Sequence, residues 1–168
     1  MQTAPWQDDL TGRLQDRFGS QIAEFSTYLG QNFLVAQPES VVAIADYLKT
    51  AEGFDYLVDV TAVHYPAREK QFEVIYILYS FPNNQRLRVK TLINEGQKPQ
   101  TLVPVHPTAN WLEREVFYLF GIEFAGHPDL RRILMPDEWT GYPLRRDYNI
   151  LTMDKRWVNE NLAIESAQ

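Results

Sequence analysis

Four side chains in one stretch of the sequence could perform acid–base chemistry: Glu113, Glu115, His127 and Asp129. A carboxylate and an imidazole within hydrogen-bond reach can exchange a proton, so an independent enzyme would use His127 with Glu113. The two glutamates are two positions apart, a spacing that does not bring side chains together on a helix, so they do not form a paired-carboxylate site. We therefore expect no catalytic residue in this chain and keep the acid–base enzyme as a distant alternative.

The composition argues against several other kinds of site. The 168 residues contain no cysteine, which excludes disulfides, thiolate nucleophiles and iron–sulfur ligation, and the three histidines are scattered. No Gly-x-Ser-x-Gly, P-loop or Gly-x-Gly-x-x-Gly motif occurs, so nucleophile-elbow, phosphate-binding and dinucleotide-binding sites lack support. We expect this chain to bind no metal and no cofactor. A net charge of −6 without a basic stripe makes nucleic acid an unsuitable partner.

The sequence also predicts where the protein resides. No apolar run approaches the roughly 18 residues that a membrane-spanning helix needs. The N-terminus lacks the basic and apolar stretches of a signal peptide. We therefore expect a cytoplasmic protein with no membrane span of its own.

Two pairs of adjacent arginines, 131–132 and 145–146, are suited to recognising carboxylates. Neighbouring side chains in an extended chain point to opposite sides, so one arginine of each pair can anchor inward while the other reaches outward. The guanidinium fork binds carboxylates with two hydrogen bonds. The candidate acids are Glu113, Glu115, Asp129 and Asp147. Two compatible roles remain open: an internal lattice of ion pairs, and docking on a partner protein.

Periodicity and turn residues predict the elements that must position these side chains. Apolar spacing and turn-forming residues predict helices over residues 10–18, 38–50 and 110–120. Alternation and β-branched residues predict strands over residues 22–29, 32–37, 54–65, 72–81 and 86–94. The expected fold class is α+β, with a mixed, mostly antiparallel sheet of about five strands and helices on one face.

The third predicted helix carries the glutamates. Asn110 and Glu113 resemble a capping box at its start, and Gly121 is placed to end it. The helix is apolar nearly all round apart from the three charged residues 113–115. This pattern predicts that the helix is buried between its own sheet and something else.

The remaining residues predict a long irregular arm. Closely spaced glycines and prolines leave no room for a long regular element: Gly126, Pro128, Pro136, Gly141 and Pro143. Large side chains are nevertheless frequent there, which is typical of a segment docked on a surface. We divide the chain into an α+β domain, residues 1–121, and an extended C-terminal arm, residues 122–168, that docks on a partner subunit.

The stretch from Glu113 to Tyr148 resembles a family signature. In order, it holds Glu-Arg-Glu, Gly-Ile, Gly-His-Pro, Arg-Arg-Ile-Leu and Pro-Leu-Arg-Arg-Asp-Tyr. These pieces are similar to those of the C subunit of respiratory complex I, the thirty-kilodalton subunit family of proton-pumping NADH:quinone oxidoreductase. A looser similarity extends upstream over residues 54–63 and 72–76. The residues that we expect to be structural or to contact partners are Glu113, Arg114, Glu115, Gly121, His127, Pro128, Arg131, Arg132, Trp139, Pro143, Leu144, Arg145, Arg146, Asp147 and Tyr148.

The resemblance implies a non-catalytic structural subunit in the hydrophilic arm of that complex, peripheral and on the cytoplasmic side of the cell inner membrane. It implies contact with neighbouring iron–sulfur subunits and with the forty-nine-kilodalton subunit (the D subunit), which helps to form the quinone pocket. NADH, FMN, the iron–sulfur clusters and quinone would be bound by other subunits. A homologous subunit of a ferredoxin- or F420-linked dehydrogenase, or of a membrane-bound hydrogenase, is the nearer alternative. Tyr118 departs from the family, which usually has Asp at this position.

Overall fold

The computed structural model describes residues 3–149 and 160–161. The strands are β1 (Ala4–Pro5), β2 (Ile22–Tyr28), β3 (Gln31–Ala36), β4 (Tyr56–His64), β5 (Phe72–Ser80) and β6 (Gln85–Ile93). The helices are α1 (Asp9–Phe18), α2 (Val41–Thr50) and α3 (Ala109–Phe120). Among the residues described, no helix is both long enough and apolar enough to cross a bilayer.

The strands form one six-stranded sheet in the order β1-β2-β3-β6-β5-β4. The β3–β6 pair is parallel and the other pairs are antiparallel, which confirms the predicted mixed, mostly antiparallel sheet. The predicted strand count of about five omitted β1, which has two residues. The predicted strand 22–29 ends one residue early, because Leu29 and Gly30 form the hairpin turn with φ of 49° and 72°. Positive φ at both positions matches the twist of a two-residue hairpin.

The hydrophobic core lies against one face of the sheet. Alternate residues of β5 are buried along its whole length, while the residues between them are partly exposed. The helices contribute their apolar stripes to the same cluster, including Leu14 of α1, Ile44 of α2 and Val116 of α3. This arrangement confirms the expectation of helices packed on one face.

The sequence predicted the C-terminal end of α3 correctly but not its N-terminal end. The predicted capping box is wrong: the helix begins at Ala109, its N-cap is Thr108 without a side-chain cap hydrogen bond, and Asn110 lies inside it. The predicted C-terminal end is right, because Gly121 adopts the left-handed conformation with φ 76° and ψ 26°. Two of the three charged residues, Glu113 and Arg114, are buried. Both therefore require partners inside the protein.

The segment that follows α3 is irregular, as predicted, over most of its described length. Residues 122–149 form no helix or strand, and an isolated bridge joins Ala125 to Gln100. Residues 160–161 have helical backbone, which the prediction of a wholly irregular arm did not include. The rest of the predicted arm, residues 150–159 and 162–168, lies outside the described residues. We use the name "the arm" for residues 122–149.

Candidate docking surface on the third helix and the arm

The arm is attached to the C-terminal end of α3 through Arg145. Its Nε donates to the carbonyl of Phe120 at 2.6 Å, and its Nη1 lies 2.7 Å from the carboxylate of Glu95. The preceding residue, Leu144, donates its backbone N–H to the carbonyl of Leu119 at 3.1 Å. The last carbonyls of a helix have no partner within the helix and carry partial negative charge, so a guanidinium there is favourable. Arg145 thus caps the helix and fixes the arm to it.

Gly121 allows the arm to approach this closely. A Cβ at this position would lie 2.6 Å from ring carbons of Tyr142 and 2.7 Å from Nη2 of Arg145. The positive φ of Gly121 is unfavourable for any other residue type. The signature glycine therefore serves both the end of the helix and the packing of the arm.

A second attachment uses Arg114 near the middle of α3. Its guanidinium is buried, with Nε 3.0 Å from the carbonyl of Arg131 and Nη2 3.4 Å from that of Arg132. The guanidinium carbon also lies 5.0 Å from the centroid of the Trp111 ring. The carboxylate of Asp129 is farther away, at 3.9 Å from Nη1. Arg114 therefore holds the first arginine pair of the arm mainly through the backbone carbonyls of that pair.

Arg132 closes a turn within the arm. Its Nη1 donates to the carbonyl of Pro136 at 2.7 Å and to that of Trp139 at 2.8 Å. Farther along, the ring of Tyr148 covers Gly141, where a Cβ would lie 2.8 Å from the ring. These contacts give the arm a defined shape without regular secondary structure.

Glu113 is a buried carboxyl that joins α3 to the preceding connector. Its side chain accepts from the Thr101 hydroxyl at 2.5 Å and from the backbone N–H of Leu102 at 2.7 Å. Burial raises the pKa of Glu113 to about 7, although the two hydrogen bonds favour the ionised form and limit the rise. The residue has a structural role, because both of its carboxylate oxygens bind the protein's own chain.

His127 lies beside Glu113 but does not form a catalytic pair with it. Its Nδ1 accepts from the backbone N–H of Asp129 at 3.1 Å, so Nε2 carries the proton and donates to the carbonyl of Asn110, also at 3.1 Å. The distance from Nε2 to the Glu113 carboxylate is 3.9 Å, and both side chains are fully buried. A pair without exposed surface offers no access to a substrate. The geometry therefore argues against the acid–base enzyme.

The expectation that each arginine pair splits between inside and outside is confirmed. Arg132 and Arg145 bind backbone carbonyls, whereas the Arg131 side chain is 74% exposed and Arg146 is also exposed. The expected carboxylate partners were mostly wrong. Asp129 does pair with Arg131, at 3.0 Å. The other carboxylates named in the sequence prediction, those of Glu113, Glu115 and Asp147, form no arginine ion pair within the described part of the chain.

Some of the remaining signature residues contact the rest of the domain, and others are exposed. Asp147 lies 3.5 Å from Nδ1 of the buried His64, Pro143 and Trp139 are partly buried, and Glu115 and Pro128 are exposed. Sequence reasoning missed Glu95 and Thr101, which bind Arg145 and Glu113; both precede the signature and belong to no motif. Tyr118 is buried, so in this chain the position where the family usually has Asp contributes to packing.

Three large apolar side chains close in sequence to these attachments remain exposed. Trp111 on α3 is 62% exposed, and Leu134 and Leu144 of the arm are 79% and 51% exposed. Exposed large apolar side chains on a segment fixed in shape are typical of a surface that contacts another protein. We call Trp111, Leu134 and Leu144, together with the outward Arg131 and Arg146, the docking surface.

Comparison with known proteins gives a consistent result. Residues 34–153 match the family described as "Respiratory-chain NADH dehydrogenase, 30 Kd subunit". The NADH-quinone oxidoreductase C subunit of Geotalea uraniireducens is 43% identical over 144 residues, which cover 85% of this chain and 88% of that protein. The C subunit of Geobacter metallireducens is 44% identical over 138 residues, covering 81% and 85% of the two chains.

Two further similarities concern larger assemblies. A protein of Bdellovibrio bacteriovorus, named as the C/D subunit of NADH-quinone oxidoreductase, is 37% identical over 142 residues, which cover 84% of this chain and 25% of that protein. Among solved structures, a chain of the membrane-bound sulfane sulfur reductase, an archaeal respiratory membrane complex, superposes with a TM-score of 0.71. That match covers 93% of this chain and 91% of the other at 21% identity, and it shows a shared fold alone.

Proposed function

This chain belongs to the family of 30-kDa subunits of respiratory-chain NADH dehydrogenases, and on that premise we propose that it is a non-catalytic structural subunit of a proton-translocating NADH:quinone oxidoreductase. The observation that carries the proposal is the split of its signature residues between inside and outside. Inward residues such as Arg114 and Arg145 attach the arm to α3, while Trp111 and Leu144 remain exposed on the outside. A scaffold needs this combination of a rigid segment and an apolar outer surface.

The partner that we propose for the docking surface is the forty-nine-kilodalton subunit, with iron–sulfur subunits of the hydrophilic arm close by. Support comes from the Bdellovibrio relative, whose name joins the C and D subunits in one protein. Fusion of two proteins into one chain is expected where the two work side by side. By holding the forty-nine-kilodalton subunit, the chain would support electron transfer from NADH to quinone without taking part in its chemistry.

We further propose that NADH, FMN, the iron–sulfur clusters and quinone are all bound by other subunits. The sequence has no cysteine thiolate with which to hold a cluster. Within the described residues, no group of three or more His, Asp or Glu side chains is arranged to bind a metal ion. The subunit would be peripheral, on the cytoplasmic side of the cell inner membrane.

The test is native-gel mass spectrometry of detergent-solubilised membranes from cells that carry a tagged copy of this chain. We expect the chain to migrate with the forty-nine-kilodalton subunit and with the flavin and iron–sulfur subunits. Co-migration with hydrogenase subunits, or with a ferredoxin- or F420-linked input module in place of the NADH-oxidising subunits, would support the related assemblies instead. Turnover of a small substrate by the pure monomer would contradict the scaffold role.

A further inference from the structure

Two arginines share one aromatic ring at the edge of the arm. The guanidinium carbon of Arg68 lies 3.7 Å from the centroid of the Tyr65 ring, and that of Arg146 lies 5.4 Å from the same centroid. The two cations are therefore at most about 9 Å apart, which is close to the Debye length of about 8 to 10 Å at ordinary ionic strength. Exposed like charges at this separation repel each other only weakly, but an anion placed between or beside them would be attracted to both.

No such anion is supplied by the described part of the chain. Neither guanidinium has a carboxylate oxygen within 4.0 Å among residues 3–149 and 160–161, although an acid follows each arginine, Glu69 and Asp147. Asp147 instead has one carboxylate oxygen 3.5 Å from Nδ1 of His64. Arg68 and Arg146 are both exposed, so their hydrogen-bonding edges are open to a partner.

The backbone beside each cation contacts the rest of the domain. Arg68 is in the loop between β4 and β5, where its backbone N–H donates to the Tyr65 carbonyl at 3.0 Å and the Tyr65 N–H donates to the Gln71 carbonyl at 2.7 Å. Arg146 stands between Arg145, which is attached to α3, and Asp147, which lies against His64. Contact with the Tyr65 ring restricts both arginine side chains, so they lose less conformational entropy when they bind a ligand.

We propose that Arg68 and Arg146, held on the ring of Tyr65, bind a carboxylate side chain in an acidic segment of a neighbouring subunit. This inference rests on the proposed function, because it assumes that the arm faces another subunit. The guanidinium fork suits carboxylates and phosphates alike. Two observations favour a protein carboxylate: Arg146 belongs to the docking surface, two positions along the chain from the exposed Leu144, and the flanking Glu69 and Asp147 disfavour a multiply charged phosphate group.

The experiment uses the full chain in the assembled complex. Membranes are prepared from cells with the unaltered chain, Arg68→Gln, Arg146→Gln or the double variant, and the NaCl concentration that releases half of the bound chain is measured on native gels. We expect the double variant to be released at roughly half the NaCl concentration needed for the unaltered chain, and the single variants at intermediate concentrations. Arg68→Lys should fall between the unaltered chain and Arg68→Gln, because it keeps the charge but loses the planar fork.

Arg17→Gln is the matched control, because Arg17 also lies over a tyrosine ring, 4.8 Å from the centroid of Tyr47, but on α1. It should leave the release concentration unchanged. Release of the double variant at the same NaCl concentration as the unaltered chain would overturn the inference while leaving the proposed function intact. Failure of the unaltered chain to migrate with any other subunit would instead count against the proposed function.

A lipid headgroup is tested separately with vesicles that contain anionic phosphatidylglycerol. We expect the purified unaltered chain and the double variant to bind these vesicles equally poorly. Suppose that the unaltered chain binds the vesicles, the double variant does not, and release from the complex is unaffected. The ligand of the arginine pair would then be a membrane phosphate and not a protein carboxylate.

Discussion

Glu113 shows how one buried side chain links pH to the stability of the whole domain. Its carboxyl is enclosed by α3 and by the connector that contains Thr101 and Leu102, and burial raises its pKa from 4.5 to about 7. Below about pH 4.5 the carboxyl is protonated in both the folded and the unfolded chain. Between that pH and about 7 the unfolded chain loses the proton while the folded chain keeps it, so the free energy of unfolding falls as the pH rises.

We expect this residue to lower the free energy of unfolding by about 2 to 3 kcal/mol between about pH 4.5 and about pH 7.5. Glu113→Gln cannot ionise and should remove that part of the pH dependence. Urea unfolding of the purified chain at several pH values measures the effect. Glu115→Gln, on the exposed side of the same helix, is the control and should keep the slope of the unaltered chain. The same slope in Glu113→Gln would contradict the assignment.

At the same scale, Arg145 and Arg146 should behave differently although they are adjacent. Arg145→Ala removes the hydrogen bond to the Phe120 carbonyl and the ion pair with Glu95, and should cost about 1.5 to 3 kcal/mol of the free energy of unfolding. Arg146→Ala removes an exposed side chain and should change it by less than about 0.5 kcal/mol. Urea unfolding of the two variants side by side decides the matter, and equal losses would show that both arginines fasten the arm internally.

At the scale of elements, the end of α3 and the arm depend on each other through Gly121. Gly121→Ala should lower the free energy of unfolding by about 3 kcal/mol, because the left-handed backbone costs about 1 to 2 kcal/mol and the new methyl overlaps the Tyr142 ring. Limited proteolysis should also cut the arm sooner. Urea unfolding and the time course of digestion measure the two effects.

Gly96→Ala is the matched control for this prediction. Gly96 has nearly the same φ, 77°, but within the described part of the chain no atom beyond its two sequence neighbours lies within 4 Å of the place where a Cβ would be. It should cost only the backbone contribution of about 1 to 2 kcal/mol and leave digestion of the arm unchanged. If the two glycine variants lose equal stability, the close packing of Tyr142 on Gly121 does not matter energetically.

The elements also show which features a sequence can predict. Alternation along β5 and the apolar spacing of α1 are local, and both elements were predicted to within one residue of their observed bounds. The burial of Glu113 depends on Thr101, twelve positions earlier, which periodicity cannot detect. The hydrogen-bond acceptors of the arginines were not predicted for another reason. Arg132 and Arg145 bind backbone carbonyls, and a carbonyl has no residue type that could reveal it in the sequence.

At the scale of the whole molecule, the arm converts a sheet-and-helix domain into a rigid platform. Arg114 and Arg145 attach it at two points along α3, so the outer side chains of the helix and the arm keep fixed relative positions. Trp111, Leu134 and Leu144 are exposed on these attached segments, so a partner that contacts them need not bear the entropic cost of ordering a loose segment. The proposed scaffold role needs no catalytic chemistry, in keeping with the burial of Glu113 and His127 among the protein's own hydrogen-bonding groups.

If this platform binds another subunit, Trp111 should matter to the assembly much more than to the fold. Trp111→Ala should weaken retention of the chain in the solubilised complex at least about tenfold, because an exposed tryptophan that becomes buried at an interface commonly contributes about 2 kcal/mol or more. It should change the free energy of unfolding of the purified chain by less than about 1 kcal/mol, since the side chain is 62% exposed and lies against the Arg114 guanidinium. Phe81→Ala is the control: Phe81 is 64% exposed, but it lies in the β5–β6 turn against Tyr56 and Tyr79 and outside the docking surface. Quantitative mass spectrometry of the native complex compares the two variants, and equal retention of both would mean that the partner contacts a different face.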